Sequence, residues 1–397
     1  MTLRNRWAWT ALWLFILVFG ASLGDTAAHA MAGPVDIIIR EQAENLPTDK
    51  VEQFWNRLMK EYGGYFPEGR TPGFFEQLIP GQQGFSFSGV LKAILSYFFH
   101  EILVNGKLML TIVILTVFSM ILETLQSAFE KNAVSKIAYA ISYMVLIVIA
   151  INSFNVAIGY AKSAITDMIN FMIAVVPLLM TMLASMGNLA TVSIMHPLIV
   201  FMIHTIGTAV YVFIFPLLFF SVVLHIVSSL SDRYKVTQLA NLIRKVSMGL
   251  LGFFATVFLG VVSVQGFSGG AADGVTIRTA KYITGNFVPV VGKMFTDASD
   301  TVIGASLLVK NAIGLVGVVI IVLLCAFPAV KILTLAFIYH LSAAVIQPMG
   351  DSPIVTCLQT IGKSMIYIFA AMAVVGLMFF LSITIMITAG NISVMMR

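Results

Sequence analysis

Charge is scarce in this chain of 397 residues: Asp, Glu, Lys and Arg make up 10% of it, against 59% hydrophobic residues. Soluble domains carry roughly 25% charged residues, so a water-soluble globular protein and a nucleic-acid-binding protein are both excluded. Cysteine is nearly absent, and the two present, Cys325 and Cys357, both sit inside hydrophobic runs. They offer neither a disulfide framework nor metal-ligand spacing, and they read as small buried hydrophobes. Catalytic constellations are missing as well. There is no H-E-x-x-H and no Cys/His spacing for a metal. Gly362-Lys363-Ser364 resembles the end of a Walker A motif, but Cys357 stands where the upstream glycine is required, and no strand precedes it. His196, His204, His225 and His340 are scattered through apolar runs and read as hydrogen-bonded within a bundle rather than as ligands. The expectation is a protein that is not an enzyme, with no metal and no cofactor.

The charges that exist are unevenly spread. Residues 31–107 hold 16 of the 41, and residues 108–397 only 22, of which 14 are basic. A short polar module therefore precedes about 290 residues that live largely in lipid. The net charge of +5 reflects Lys and Arg in loops that flank membrane spans, not affinity for nucleic acid. Residues 1–30 read as a secretory signal peptide, cleaved or retained as a signal anchor. Arg4 and Arg6 precede an uncharged run, and Ala28-His29-Ala30 supplies an A-x-A site. The polar module after this signal belongs outside the cytoplasm.

Within the polar module, residues 31–107, Val51, Phe54, Trp55, Leu58, Met59 and Tyr62 recur at helical spacing from Asp49 onward, and Gly63-Gly64 ends the pattern. The module is too small to bury much of a core alone, so it packs on the membrane domain or on a partner. Residues 86–101 pattern as an interfacial amphipathic helix. Charge-free windows come next, at 108–122, 137–161, 168–231, 246–272, 311–330, 332–350 and 364–396. No alternating barrel pattern occurs, and lipid tolerates only helices otherwise. The fold class is all-α, a polytopic helical membrane protein of about 6–8 segments over residues 108–397. Pro177, Gly187, Pro197 and Pro216 would break the longest window into a span plus a re-entrant hairpin, which would put the basic loop of Arg233, Lys235, Arg244 and Lys245 inside. Val134-Ser135, Val236-Thr237 and Val355-Thr356 share one pattern, a Ser or Thr placed to cap a helix after a polar connector. This is compatible with repeated helical hairpins.

The polar-dense stretch of the membrane half is 266–310, read as a re-entrant or amphipathic hairpin. Gly266, Gly269, Gly270 and Gly274 fit a flexible hinge, although the four-residue spacing also matches small-residue helix packing. Arg278 and Lys281 lie three apart on one helical face, and so do Asp297 and Asp300. With Asn286, Pro289 and Lys293 between them, these pairs are placed to meet across a hairpin. Such charges face a bundle interior, a water-filled cavity or an interface. The hairpin is accordingly either a pore-lining or partner-binding element or a segment whose charges only pair for stability.

Several stretches resemble the stage III sporulation protein AE family of endospore-forming Bacillus relatives. They are Lys235-Val-Thr-Gln-Leu-Ala240, Val264-Gln-Gly266, the run from Asp273 to Phe287, Met294-Phe-Thr-Asp297 and Ile387-Thr-Ala-Gly-Asn391. The similarity runs from about Phe54 to the C-terminus and thins over residues 31–48. The resemblance implies a multi-pass subunit of a secretion-like channel complex in the mother-cell membrane around the forespore, needed for forespore development and late forespore gene expression. It implies as partners the other stage III sporulation proteins and the forespore-membrane stage II protein Q, besides the lipid bilayer; a homo-oligomer would also suit a channel. It carries no catalytic residues to transfer. The competing expectation is a stand-alone secondary transporter for a small solute.

Overall fold

The computed structural model describes residues 48–66, 87–128, 133–230, 235–287, 291–350 and 352–396, and among them there is no strand. The amphipathic pattern after Thr48 forms α1 (Asp49–Tyr62), with Asp49 and Glu52 in its first turn and Lys60 in its last, each favourable to the helix dipole. A 3-10 turn (Gly63–Tyr65) ends it where the paired glycines predict. The amphipathic segment after residue 86 is α2 (Phe87–Val104), followed by α3 (Gly106–Ala128), the two bent by 49° at their junction.

The body is built from unusually long rods. α4 (Ala133–Ser185) has 53 residues, and α5 (Leu189–Ala209) continues through a π-helical turn (Val210–Ile214) into α6 (Phe215–Leu230). α7 (Thr237–Phe287), α8 (Val291–Ile346) and α9 (Pro353–Met395) have 51, 56 and 43 residues. The π-turn falls where Pro216 cannot donate its hydrogen bond, a common way for a rod to pass a proline. The rods alternate in direction. α8 pairs most extensively with α9, which also packs on α7, α4 and α6. In its most apolar window α8 is 72% buried and α7 only 22%, so α8 is the axis and α7 a peripheral helix.

Among the described residues, five helices are long and apolar enough to cross a membrane, or six if bent α2 and α3 count as one span. The upper count of six is the low end of the expected six to eight. Lys162 and Lys331 divide the sequence windows, yet α4 and α8 run straight past both as single helices. Pro177 and Pro197 also lie inside helices, so the described residues 168–230 contain one turn and no re-entrant hairpin. That turn is at Gly187, whose φ is 84°. The Asn188 amide donates to the Leu183 carbonyl at 3.0 Å and the Gly187 amide to Ala184 at 2.9 Å, a Schellman stop.

The three Ser/Thr patterns do fall at helix starts, but the caps differ. The residue before α9 is Ser352, whose side chain makes no capping bond, and Thr237 bonds the Ser228 hydroxyl instead. The predicted polar module is not free-standing where it is described. Val51 and Trp55 of α1 are buried, Phe54 meets Phe171 edge-on, and Tyr62 stacks on Phe327 with centroids 3.9 Å apart.

Candidate functional site: a buried polar junction

The predicted hinge is a seam. Gly266, Gly269, Gly270 and Gly274 lie inside the unbroken α7, against other backbones. A Cβ on Gly270 would stand 2.6 Å from the Ala389 carbonyl oxygen, and one on Gly274 2.9 Å from that of Ser393. On Gly266 it would meet the Ile385 side chain at 2.6 Å. Each partner lies four residues after the last, as do the glycines, so α7 and α9 run parallel here with backbones close together. Gly269 turns aside toward Thr191 at the start of α5. Lipid-side helix packing outweighs glycine's intrinsic flexibility, because a neighbour fills the space a side chain would take.

This seam brings together polar groups that lie far apart in the chain. Asp273, 4% exposed, accepts hydrogen bonds from the Ala190 and Thr191 amides at 3.0 and 2.9 Å. It caps the N-terminus of α5 from another helix, meeting orphan donors and the positive end of the dipole. The cap residue Asn188 makes no capping bond itself; its side-chain oxygen accepts from the Ser393 hydroxyl of α9. On the other flank of α9, Lys310 of α8 is fully buried. Its ammonium donates to the Ile387 carbonyl at 2.7 Å and to the Asn391 Oδ1 at 3.1 Å. Gly390 leaves room for it: a Cβ there would lie 2.4 Å from the Lys310 Nζ.

The junction is not fully paired. Asn188 Nδ2, Thr191 Oγ1 and Asn311 Oδ1 are buried with no hydrogen-bond partner among the described residues. The three unpaired atoms are unmet hydrogen-bonding capacity beside a buried, paired ammonium. Ionisable groups at such depth in an apolar bundle are functional candidates.

Of the predicted hairpin residues, Lys281 and Asp300 do meet, in an ion pair between the outer ends of α7 and α8. Arg278 is exposed on the same end of α7. Pro289 lies outside the described residues, as do the side chains of Asn286, Lys293 and Asp297. Residues 266–287 and 291–310 are therefore ends of two long rods. Sequence reading counts Asp273 and Lys310 in the charge cluster of this stretch but not among the candidate hairpin residues. The available signal was their position, each at the edge of a charge-free window. Among the described residues, no group of three His, Cys, Asp or Glu is placed to hold a metal ion.

The family resemblance includes Ile387-Thr-Ala-Gly-Asn391, which supplies every contact of the Lys310 ammonium. No solved structure matches the chain. The family profile for stage III sporulation protein AE matches residues 71–390. A curated Bacillus subtilis (strain 168) protein named stage III sporulation protein AE is 50% identical over 399 residues, covering 99% of this chain and 100% of that one. The chain, an all-α multi-pass membrane protein with a role in sporulation, therefore belongs to the stage III sporulation protein AE family.

Proposed function

We propose that the chain is an integral membrane subunit of a secretion-like channel complex linking mother cell and forespore, set in the mother-cell membrane around the forespore. Its partners in this reading are the sister stage III sporulation proteins and stage II protein Q of the forespore membrane. Its role is structural and conductive, not catalytic, and supports forespore development and late forespore gene expression. The observation that carries the reading is the junction of Asp273, Lys310 and Asn391, a buried polar site at one end of the charge-free stretches of the bundle. Charged groups survive there when they line or control a path through the membrane.

The test is complementation of a Bacillus subtilis strain lacking its own relative, with an affinity tag on this chain. Restored heat-resistant spore counts, together with co-purification of the sister proteins from crosslinked sporulating cells, are expected. Failure of the tagged, complementing chain to bring down any sister protein would overturn the complex. A second reading, a stand-alone secondary transporter, draws on the buried Lys310. It predicts coupled solute flux from the lone protein in liposomes, whereas the channel-subunit reading predicts none.

A further inference from the structure

The rods are too long for a bilayer. At 1.5 Å per residue, α8 with 56 residues is about 84 Å long, against about 30 Å of hydrocarbon. Even a tilt of about 40°, the top of the usual range, accommodates only about 26 residues of a helix in that thickness. Each rod must therefore leave the lipid for about half its length, and the positions of the few charges decide which half.

Two polar levels cross the bundle. The first lies near its middle. There Arg57 of α1 faces Asp167 at 3.5 Å, Lys331 stands 4.0 Å from Glu61 and over the Tyr160 ring, and the Tyr211 hydroxyl donates to the Lys162 carbonyl. Somewhat below it, Arg244 of α7 lies 4.7 Å over the ring of Tyr367 in α9. The second level is the junction, where Asp273 caps α5 and Lys310 binds α9. Between the two levels no rod carries a formal charge: 168–185 in α4, 189–211 along α5, 246–272 in α7, 311–330 in α8 and 364–390 in α9. These lengths correspond to about 27–41 Å of helix, a match to the hydrocarbon thickness in all five.

The other half passes this test in α4 and α8, whose residues 137–161 and 332–350 are free of charge, but fails it in the two rods that pack beside them. Below Lys245, α7 has only the residues back to Thr237, and below Lys363, α9 has only those back to Pro353, each about 15 Å or less. A bilayer placed there would hold Lys363, Arg244 and Lys245 within its hydrocarbon, a cost of about 2.5–3.5 kcal/mol for each at the centre.

We propose that lipid contacts only the half of the bundle between the mid-height charges and the junction. The half carrying α2, α3, the first part of α4, α6 and the second part of α8 stands outside the hydrocarbon, with α1 at the boundary, where Arg57 and Glu61 meet the mid-height charges. The lipid-facing surface then includes Phe201, Val257 and Leu315, all exposed on the fold. Ile141, Phe220 and Val345, equally exposed, lie in the half outside.

The test is spin labelling of single cysteines at these six positions, in full-length protein with Cys325 and Cys357 changed to Ala, reconstituted in nanodiscs. Relaxation by oxygen and by a water-soluble nickel chelate reports what surrounds each label. Oxygen-dominated relaxation at 201, 257 and 315, and none at 141, 220 and 345, is expected whether the outer half meets water or protein. Oxygen-dominated relaxation at 141, 220 and 345 would overturn the assignment, as would its absence from the first three. A variant that does not elute like the parent is replaced by another exposed position of the same half, Ile194, Phe253 or Val264 for the first three and Val148, Val227 or Phe337 for the others. The readout is lipid contact, so it is independent of whether the chain joins a channel complex.

Discussion

At the scale of the residue, the molecule concentrates its polar energetics in a few side chains. Asp273 is acceptor to two amides, and hydrogen bonds to a charged group contribute about 1.5–3 kcal/mol. Asp273→Ala is expected to lower stability by about that amount and to expose the 186–190 turn to protease, read by limited proteolysis in detergent. Lys310 separates structure from function. Lys310→Met keeps the volume and removes the charge, a class of change that often leaves stability unaltered or improved. The folded yield of Lys310→Met should equal the parent's while spore counts fall at least tenfold; equal spore counts would make the lysine merely structural. The Lys281–Asp300 pair is the opposite case, with the Asp300 side chain 53% exposed. Exchanging the two by Lys281→Asp with Asp300→Lys should shift stability by less than about 1 kcal/mol. Sequence could pair these two because i, i+3 spacing on facing helices is a local pattern. It could not find Asp273's partners, which lie 82 and 83 residues away and are backbone amides, groups that every residue carries.

At the scale of the element, glycines of identical sequence character have opposite roles. Gly270 lies under the Ala389 carbonyl, so Gly270→Leu must push α7 off α9 and should cost more than about 2 kcal/mol. At Gly304, mid-helix in α8, nothing stands within 4 Å of an added Cβ. Gly304→Ala should therefore gain about 0.5–1 kcal/mol from helix propensity alone. Thermal unfolding of both variants in one detergent checks the sign. The helical class and the bounds of α1 were legible because periodicity and paired glycines are local signals. The rod lengths were not. A lone Lys162 or Lys331 looks like the end of a span in sequence, yet a helix continues through a charge whenever neighbours or water accept it. In the same way, glycine spacing cannot say whether a neighbour fills the groove, and only the presence of α9 turned a predicted hinge into a seam.

At the scale of the whole molecule, α1 joins the N-terminal polar segment to the membrane body through Trp55 and Tyr62. Trp55→Ala should cost about 3–5 kcal/mol of docking, freeing α1 to protease while the α8–α9 axis stays folded. Burial, together with Glu61 beside it, pushes the Tyr62 phenol upward from its ordinary value of 10.0. The docked state thus prefers the neutral phenol. Its contribution is complete below about pH 10 and is lost as pH rises past the elevated value. Proteolysis of α1 should accelerate above pH 10 in the parent and less so in Tyr62→Phe.

The α7–α9 seam carries one more consequence for the whole. Because glycines recur every four residues opposite Ile385, Ala389 and Ser393, sliding α7 one helical turn along α9 would set Gly266 over Ala389 and Gly270 over Ser393. Smooth surface would again meet smooth surface, so the glycine stretch does not fix the register by itself; Phe258 against Phe379 and Arg244 over Tyr367 help to fix it. The rest falls to the polar fastenings on α9 and α5, the bonds made by Ser393, Asn391 and Asp273. The glycine seam thus sets how close the two helices lie, while the contacts around it set where along one another they stop.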